Sequence, residues 1–520
     1  MKNRVFIPVA GTGSRLGGMT KYLNKSLISV SNKPAISNII DNFSNDTEFV
    51  FALGYKGEIV KEFLKLAYPK RKFYFGYVDL FEGEGSGLGL SMLSCKQFLQ
   101  QPFIFCSCDT LVDGEIPQVD RNWIGFSERK DLSSYRTVSI NDNKVENINE
   151  KGMAKEGDKP YIGLAGIYDY KSFWDSMENG HSDAINEGEV YGLKVLMKNN
   201  DIYANFFEWY DTGTAEELNK TREHYKVENA PNILEKANET IWFLNDSVIK
   251  FSDDTKFISD RVLRTKELDG FIPKITGFDN HMYSYEYAKG EVMSKVVTLP
   301  IFEKLLEDSL KFWENKNLSM ETRSGFKESC MKFYKDKTIE RVELFYKNFN
   351  KSDGVEKIND IVMPTLKEML DNLDWNWISD GLPGRFHGDF HFENILYSQE
   401  DDKFTFLDWR QNFGGSLTVG DIYYDFAKML HGLIICHELI AKDLYGVEWK
   451  EDSIRFDFNR KQILVQCEKS FEKWIISNGY DIKKVKVLTA LVYLNIAALH
   501  HHPYGLLLYA LGKSMLFENL

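Results

Sequence analysis

Over the first 225 residues, short apolar runs alternate with stretches of helical periodicity, and this alternation constrains the fold more than any other feature of the chain. RVFIPVA, EFVFALG, KFYFGYV and PFIFCSCD read as strands, and the stretches Ala35 to Phe43, Gly57 to Leu66 and onward from Leu88 read as helices. Strands that are apolar on both faces and separated by helices need crossover connections. The region is therefore expected to be a doubly wound α/β layer structure, Rossmann-like, around a parallel sheet.

The pattern changes further on. TIWFLND and VIKFSDD read as an antiparallel pair turning at Asn245 and Asp246. Beyond about residue 296, segments such as IFEKLLEDSLKFW and IVMPTLKEML space apolar residues three and four apart, a helical pattern. A chain of 520 residues exceeds what one core supports. The expected organisation is a first domain over 1–225, a polar linker over 226–237, a strand-rich small lobe over 238–292 and a helical lobe over 293–520, the last two forming an α+β two-lobed unit.

Composition excludes several classes. With 43% hydrophobic and 27% charged residues, the chain holds no apolar run long enough to cross a bilayer. The opening MKNRVFIPVAG is interrupted by Pro8 and Gly11 too soon for a signal peptide, and a cytoplasmic location is expected. A net charge of −13 without a long basic stretch argues against nucleic acid or an anionic membrane as partner, which leaves small ligands. The six cysteines are scattered, with Cys106 and Cys108 inside an apolar strand, and read as reduced core residues.

The first strand runs into VAGTGSRLGGMTKYLNKSL. Gly13 and Gly18 have the separation of a Walker A loop, but Met19 and Thr20 follow where a lysine and a hydroxyl are needed. A dinucleotide fingerprint fails as well, because Leu16 stands where the third glycine lets helix and strand pack. Gly11, Gly13, Ser14, Arg15 and Leu16, followed by Lys25 and Leu27 and then Lys33 and Pro34, resemble the G-x-G-S/T-R-L and P-K-x-L pattern of sugar-nucleotide and phosphocholine-type nucleotidyltransferases; Asn24 replaces the usual proline. The resemblance implies that backbone around Ala10, Gly11, Gly13 and Ser14 approaches a nucleoside triphosphate. It implies that Arg15 answers the charge of the leaving pyrophosphate and that Lys25 stabilises the attacked α-phosphate. In GEGSGLGLSM, Glu84, Gly85 and Gly87 fall where the family meets the nucleobase, and Asp109 with Asp211 of FEWYDTGTAEEL would hold Mg²⁺. Each feature also has a bland reading: the glycines as a turn, Asp109 and Asp211 as helix caps.

Near the C-terminus stands RFHGDFHFENILYSQEDDKFTFLDWR. It resembles the H-G-D-x-H-x-x-N and L-D motifs of the aminoglycoside phosphotransferase and choline kinase superfamily, distant relatives of protein kinases. The resemblance implies a protein-kinase-like two-lobed fold, with Asp389 as catalytic base on an acceptor hydroxyl and Asn394 and Asp408 as Mg²⁺ ligands. Lys250 would grip the ATP phosphates, and the backbone at Glu286 and Tyr287 in YSYEYAKGE would meet adenine. Neither Glu267 nor Asp260 is assigned as the partner of Lys250. Asp421 and Asp425 fall at later acidic positions of the family, where capping competes with direct chemistry. His387 and His391 read as structural, and His500 to His502 point in different directions on any regular element.

Together the halves imply consecutive steps: a small alcohol or sugar is phosphorylated by ATP, and the phosphate ester is then joined to a nucleotide, CTP first in preference, with release of pyrophosphate. The resemblance alone implies that such products feed surface polysaccharides. Choline is one candidate acceptor, with Trp375, Trp377 and Trp409 as a possible aromatic cage. Arg410 argues against it and for a neutral or anionic polyhydroxy compound, so Arg410 and Trp409 are the expected acceptor contacts. A nucleotidyltransferase carrying a non-catalytic kinase-like binding module is the alternative.

Overall fold

The structure, a computed structural model, describes residues 4–227, 236, 238–244, 246–450 and 452–520. Most of the stretch 226–237, and Asn245 of the expected hairpin turn, lie outside the described residues. The chain divides into two compact units, Met1–Thr255 with Thr276–Tyr285, and Lys256–Ile275 with Glu286–Leu520.

The first unit is built on a nine-stranded sheet. Its order is Phe73–Tyr77, Glu48–Leu53, Arg4–Pro8, Phe103–Cys106, Lys159–Ile167, Trp123–Phe126, Tyr203–Phe206, Lys144–Asn149 and Thr137–Asn141. The first four strands run parallel, as the alternation predicts. From Lys159–Ile167 onward the sheet is mixed, with antiparallel pairing to both neighbours of that strand. Helices Ala35–Asp41, Gly57–Ala67 and Leu88–Cys95 supply the crossovers. The period-two pleat divides the core: Val5, Ile7, Phe49 and Phe51 pack on one face and Phe6, Val50 and Ala52 on the other.

The same unit includes most of a four-stranded sheet, ordered Glu239–Leu244, Ser247–Ser252, Met282–Glu286 and Ile275–Phe278. Glu239–Leu244 and Ser247–Ser252 pair antiparallel, as their patterning predicts. Trp242, Ile249 and Phe251 join the core that contains Phe63. Trp242 meets the Phe63 ring edge-on at 5.0 Å and donates its indole N–H to Ser29 Oγ at 3.2 Å.

The second unit is mainly helical, with long helices at Leu299–Phe312, Ile422–Ile434, Gln462–Ser477, Ile482–Ala497 and Tyr504–Glu518. A three-stranded sheet is formed by Glu291–Val292, Ile395–Ser398 and Lys403–Phe406, the last two as a hairpin. Two findings depart from the sequence reading. Ile361–Met363 is a strand, and the helix starts only at Leu366, because Pro364 breaks the run and Thr365 with Glu368 forms a capping box. A four-stranded sheet, Ile361–Met363, Glu356–Ile358, Ser453–Phe458 and Tyr445–Lys450, also stands within the expected helical lobe. Among the described residues no helix is long and apolar enough to cross a membrane. All six cysteines are buried and unpaired.

Candidate functional site

In the first unit the glycine loop leaves the strand Arg4–Pro8 and enters a short 3₁₀ turn at Ser14–Thr20. Gly13 has φ 66°, and a Cβ there would lie 2.9 Å from the Cβ of Lys25. Only glycine allows this turn to close on the strand of chain that carries the lysine. Ala10 is buried, with its carbonyl accepting from Tyr55 N–H at 2.9 Å, whereas Gly11, Ser14 and Arg15 are exposed.

Asn24 explains how the loop is held without the family's proline. Its side-chain amide is fully buried and donates to the carbonyls of Val9 at 2.8 Å and Tyr55 at 2.7 Å. Its oxygen accepts from Ser26 N–H at 3.0 Å and Ser26 Oγ at 2.8 Å, capping the turn Lys25–Leu27. Four hydrogen bonds replace the stiffness of a ring. Asn24→Ala strands the buried Val9 carbonyl and the part-buried Tyr55 carbonyl and is expected to destabilise the first unit by about 2 kcal/mol. Thermal or urea unfolding of the variant measures this.

Lys25 Nζ reaches Asp109 Oδ2 at 3.0 Å, and Ser107 Oγ donates to Asp109 Oδ1 at 2.6 Å. Burial pushes the Asp109 carboxyl up, but Lys25, Ser107 and Arg15 outweigh it and bring it down to about 2. Burial likewise opposes the Lys25 charge, and Asp109 holds the ammonium above its usual range. Asp211 is held by Tyr135 OH at 3.2 Å and Gly213 N–H at 2.7 Å. Burial and the neighbouring Asp109 charge raise its carboxyl.

The capping readings of the two aspartates do not hold. A strand, Thr110–Asp113, follows Asp109, and the helix Ala215–His224 is capped by Thr214, which accepts from Glu217 N–H. That strand pairs with Glu208–Asp211, while Thr212 N–H donates to the Asp109 carbonyl at 3.0 Å, so residues about a hundred positions apart are clamped together. A Cβ on Gly213 would lie 3.0 Å from Asp211 Oδ1, 3.2 Å from Asp109 Oδ2 and 3.5 Å from Arg15 Nη2. Two carboxylates and a guanidinium therefore face one small space that glycine leaves open. Two adjacent carboxylates, Asp109 half-buried and Asp211 buried with its pKa raised by burial and by the Asp109 charge, fit a divalent cation such as Mg²⁺. Gly213→Ala fills that space and is expected to slow nucleotidyl transfer roughly 10- to 100-fold by displacing groups from attack geometry. The control is an unchanged circular dichroism spectrum and melting midpoint.

Glu84 and Gly85 lie exposed in the turn ahead of the helix Leu88–Cys95, and Gly87 is half-buried beside Ile185. Lys250 is buried on the strand Ser247–Ser252. Glu286 ends the strand Met282–Glu286, and its N–H donates to the Lys274 carbonyl at 3.0 Å, with Tyr287 exposed next to it.

In the second unit the loop His387–Asn394 is pinned from below. Asp425 is buried and accepts from His387 N–H at 2.7 Å, Gly388 N–H at 2.6 Å and Trp313 Nε1–H at 3.1 Å. Burial raises its carboxyl to about 6. Asp421 caps the helix Ile422–Ile434 and accepts from Tyr334 OH at 2.7 Å. Both acidic groups are therefore structural supports. His387 Nε2–H donates to the Leu407 carbonyl at 2.8 Å, while Nδ1 accepts from Asp389 N–H at 3.2 Å. Burial keeps this imidazole neutral, with its pKa down to about 3.

Asp389 itself is half-buried. Lys428 Nζ lies 2.8 Å from its Oδ1, His391 Nε2 lies 3.5 Å away, and Asn394 Nδ2 donates to its Oδ2 at 3.1 Å. Burial is outweighed by Lys428 and His391, which hold the carboxyl well below its usual range. Leu407 N–H donates to the Asn394 carbonyl at 2.8 Å, so the hairpin sets the residue before Asp408 opposite Asn394. Asp408 has φ 58°, a strained conformation for a residue with a side chain, and pairs with Arg261 at 2.5 Å. The amide nitrogen of Asn394 is engaged by Asp389; an amide oxygen and a carboxylate, the groups of Asn394 and Asp408, are donor types that Mg²⁺ takes.

One expected contact is not met. Trp409 is fully buried, and its indole N–H donates to the Arg261 carbonyl at 3.1 Å, so it is a core residue and not an acceptor contact. Trp375 Nε1–H donates to the Leu370 carbonyl and Trp377 Nε1–H to Asp481, so these indoles brace helices and form no cage with Trp409. Glu267 pairs with Lys316 at 2.6 Å and Asp260 with Lys256 at 2.9 Å. His500 and His501 pack on Tyr504, and His502 on Phe349. Sequence reasoning read His387 as structural but missed Ser107, Tyr135 and Lys428. Only Lys428 left a usable signal, three residues after Asp425 on the same helix face.

These two constellations define two transferase-type sites, one of the nucleotidyltransferase kind and one of the phosphotransferase kind. Comparison with known proteins agrees. Residues 355–445, which include Asp389, Asn394 and Asp408, match the model of the phosphotransferase enzyme family. The N-terminal region resembles nucleotidyltransferases. The bifunctional protein GlmU of Methanococcus maripaludis strain S2 is 24% identical over 249 residues, 46% of this chain and 59% of the relative. The corresponding protein of strain C7 is 26% identical over 212 residues, 39% of this chain and 50% of the relative. The chain thus spans about half the length of the curated relatives it matches. Among solved structures, the CTP:phosphocholine cytidylyltransferase of Streptococcus pneumoniae is 18% identical, with 44% of this chain and all of that chain covered at a TM-score of 0.37.

Proposed function

We propose that the protein activates a small alcohol or sugar in two steps. The acceptor hydroxyl first attacks the γ-phosphorus of ATP: a new O–P bond forms, the bond to ADP breaks, and the hydroxyl proton passes to Asp389. An oxygen of the resulting phosphate ester then attacks the α-phosphorus of a second nucleoside triphosphate, CTP in first preference, and the bond to pyrophosphate breaks. Arg15 and Lys25 take up negative charge on the leaving group and at the attacked phosphorus. Mg²⁺, held by Asp109 and Asp211 in the first unit and by Asn394 and Asp408 in the second, would neutralise phosphate charge and align the attack.

The observation that carries this reading is the convergence of Arg15, Asp109 and Asp211 on the open side of Gly213, with Lys25 paired to Asp109. Three distant stretches of chain supply cations and carboxylates to one point, which a structural turn does not need. The order of domains in the chain does not limit the order of reactions, since tethering alone keeps the sites near one another. The products are nucleotide-activated precursors of the kind that surface polymers consume.

The test is pyrophosphate release with each of CTP, UTP, GTP and dTTP, in Mg²⁺ with ATP, against a panel of polyols, sugars, hydroxy acids, glycerol and choline, with products identified by mass. A nucleotide-linked product that requires both ATP and a free hydroxyl compound supports the two-step reading. ATP consumption without pyrophosphate from any nucleotide leaves a kinase alone.

A further inference from the structure

The surroundings of Asp389 contain more positive charge than its own carboxylate requires. Phe333, Lys337 and Arg341 occur at i, i+4 and i+8, so their side chains rise along one helical face. The chain there passes through a π-helical turn, Lys332–Asp336, into the helix Lys337–Asn348. Such turns re-aim side chains and recur at functional sites. Lys337 Nζ sits 4.3 Å from the centre of the Phe333 ring, and the Arg410 guanidinium carbon sits 4.9 Å from the same centre. Two cations from distant segments thus share one aromatic floor, and Lys428 adds a third beside Asp389.

Lys428 is matched by Asp389. Lys337, Arg341 and Arg410 have no carboxylate within ion-pair distance among the described residues. The charge is felt: burial first, then Arg410, Lys428 and Arg341, bring the Lys337 ammonium down to about 7. Packing half-buried cations together is costly unless an anion is meant to join them, and the cation–π contacts with Phe333 offset only part of the repulsion. A cationic acceptor such as a quaternary amine would add to that repulsion.

We propose that the acceptor phosphorylated at Asp389 is itself anionic, a hydroxy compound whose non-reacting end carries a carboxylate or phosphate bound by Lys337, Arg341 and Arg410. This rests on the phosphotransferase reading and narrows its substrate class. The acceptor hydroxyl lies at Asp389 while the anionic end lies over the Phe333 floor. Arg410 acts here as a positioning residue through bidentate contact, which lysine or glutamine does not reproduce.

The experiment uses the full chain and matched compounds: glycerol, glycerate and glycerol 3-phosphate; glucose, glucuronate and glucose 6-phosphate; and choline. Phosphorylation is followed by ADP release, and binding by calorimetry with Mg²⁺ and a non-hydrolysable ATP analogue. Anionic members are expected to be favoured at least ten-fold in kcat/KM over their neutral parents, with the carboxylate and phosphate arms telling which anion fits. R410Q and K337Q are expected to raise the acceptor KM at least ten-fold while kcat and the KM for ATP stay within about three-fold. A preference for glycerol, glucose or choline overturns the inference and leaves the kinase reading intact, as does a rise in the KM for ATP instead of the acceptor. Calorimetric binding of the anionic compounds, lost in R410Q but without phosphate transfer, supports the anion site and overturns the kinase reading. Absence of both binding and turnover for every compound overturns both.

Discussion

Asp109→Asn is expected to lower pyrophosphate release by on the order of 10³-fold while ATP-dependent phosphorylation by the second unit continues unchanged. The substitution preserves shape and removes one charge at the point where charge matters. Asp109 Oδ2 is the partner of Lys25 at 3.0 Å, and the same oxygen faces the space beside Gly213 with Asp211 Oδ1. An amide there cannot pair equally with a lysine and a metal ion. The Asp109 carboxyl is held down to about 2, so it is ionised throughout the working range, and the loss should be nearly independent of pH between 6 and 9. Supplying the phosphate ester directly, with CTP and Mg²⁺, isolates the step. If the variant also stops consuming ATP on a free alcohol, the two activities are not separable in the way proposed here.

How much of this was legible beforehand follows from the kind of signal each part leaves. Strands apolar on both faces announce themselves, and the four parallel strands from Arg4 to Cys106 follow the alternation directly. The mixed half of the sheet does not, because period-two patterning says nothing about strand direction. Tyr445–Lys450 and Ser453–Phe458 are short and alternate on an exposed sheet, a weak signal among strong helical ones. Ile361–Met363 was misread because apolar spacing alone ignored Pro364. The motif residues were readable because their chemistry is local in sequence: a glycine loop, a histidine-aspartate loop, an aspartate after a strand.

What surrounds those motifs was not readable, since its meaning comes from tertiary contact. Asn24 looks like a lost proline in sequence and proves to be a four-bond clamp in space. Trp409 looks like an acceptor contact beside Arg410, yet folding buries its ring completely and turns its indole N–H to the Arg261 carbonyl. Lys337 and Arg341 lie some fifty residues before Asp389 with no motif around them, and only folding brings their charge to it.

Asp389→Asn should produce the reverse of the first result, with phosphorylation of a free acceptor falling by on the order of 10³-fold, as loss of a general base does. Asn394 and Lys428 donate to different oxygens of Asp389, so only one of them can still donate to the amide oxygen of asparagine, and the ability to receive the hydroxyl proton is lost. The ester, once supplied from outside, should be converted to the nucleotide-linked product at the unaltered rate. Run side by side, the two variants make a crossed test. Starting from the free alcohol, both fail to make the final product; starting from the ester, only Asp109→Asn fails; and mixing the two variants restores synthesis from the alcohol, because the ester released by one diffuses to the other. Failure of the mixture with each half-reaction intact would mean that the ester does not leave the chain on which it is made, and the independent tethering of the two sites would have to be replaced by direct transfer.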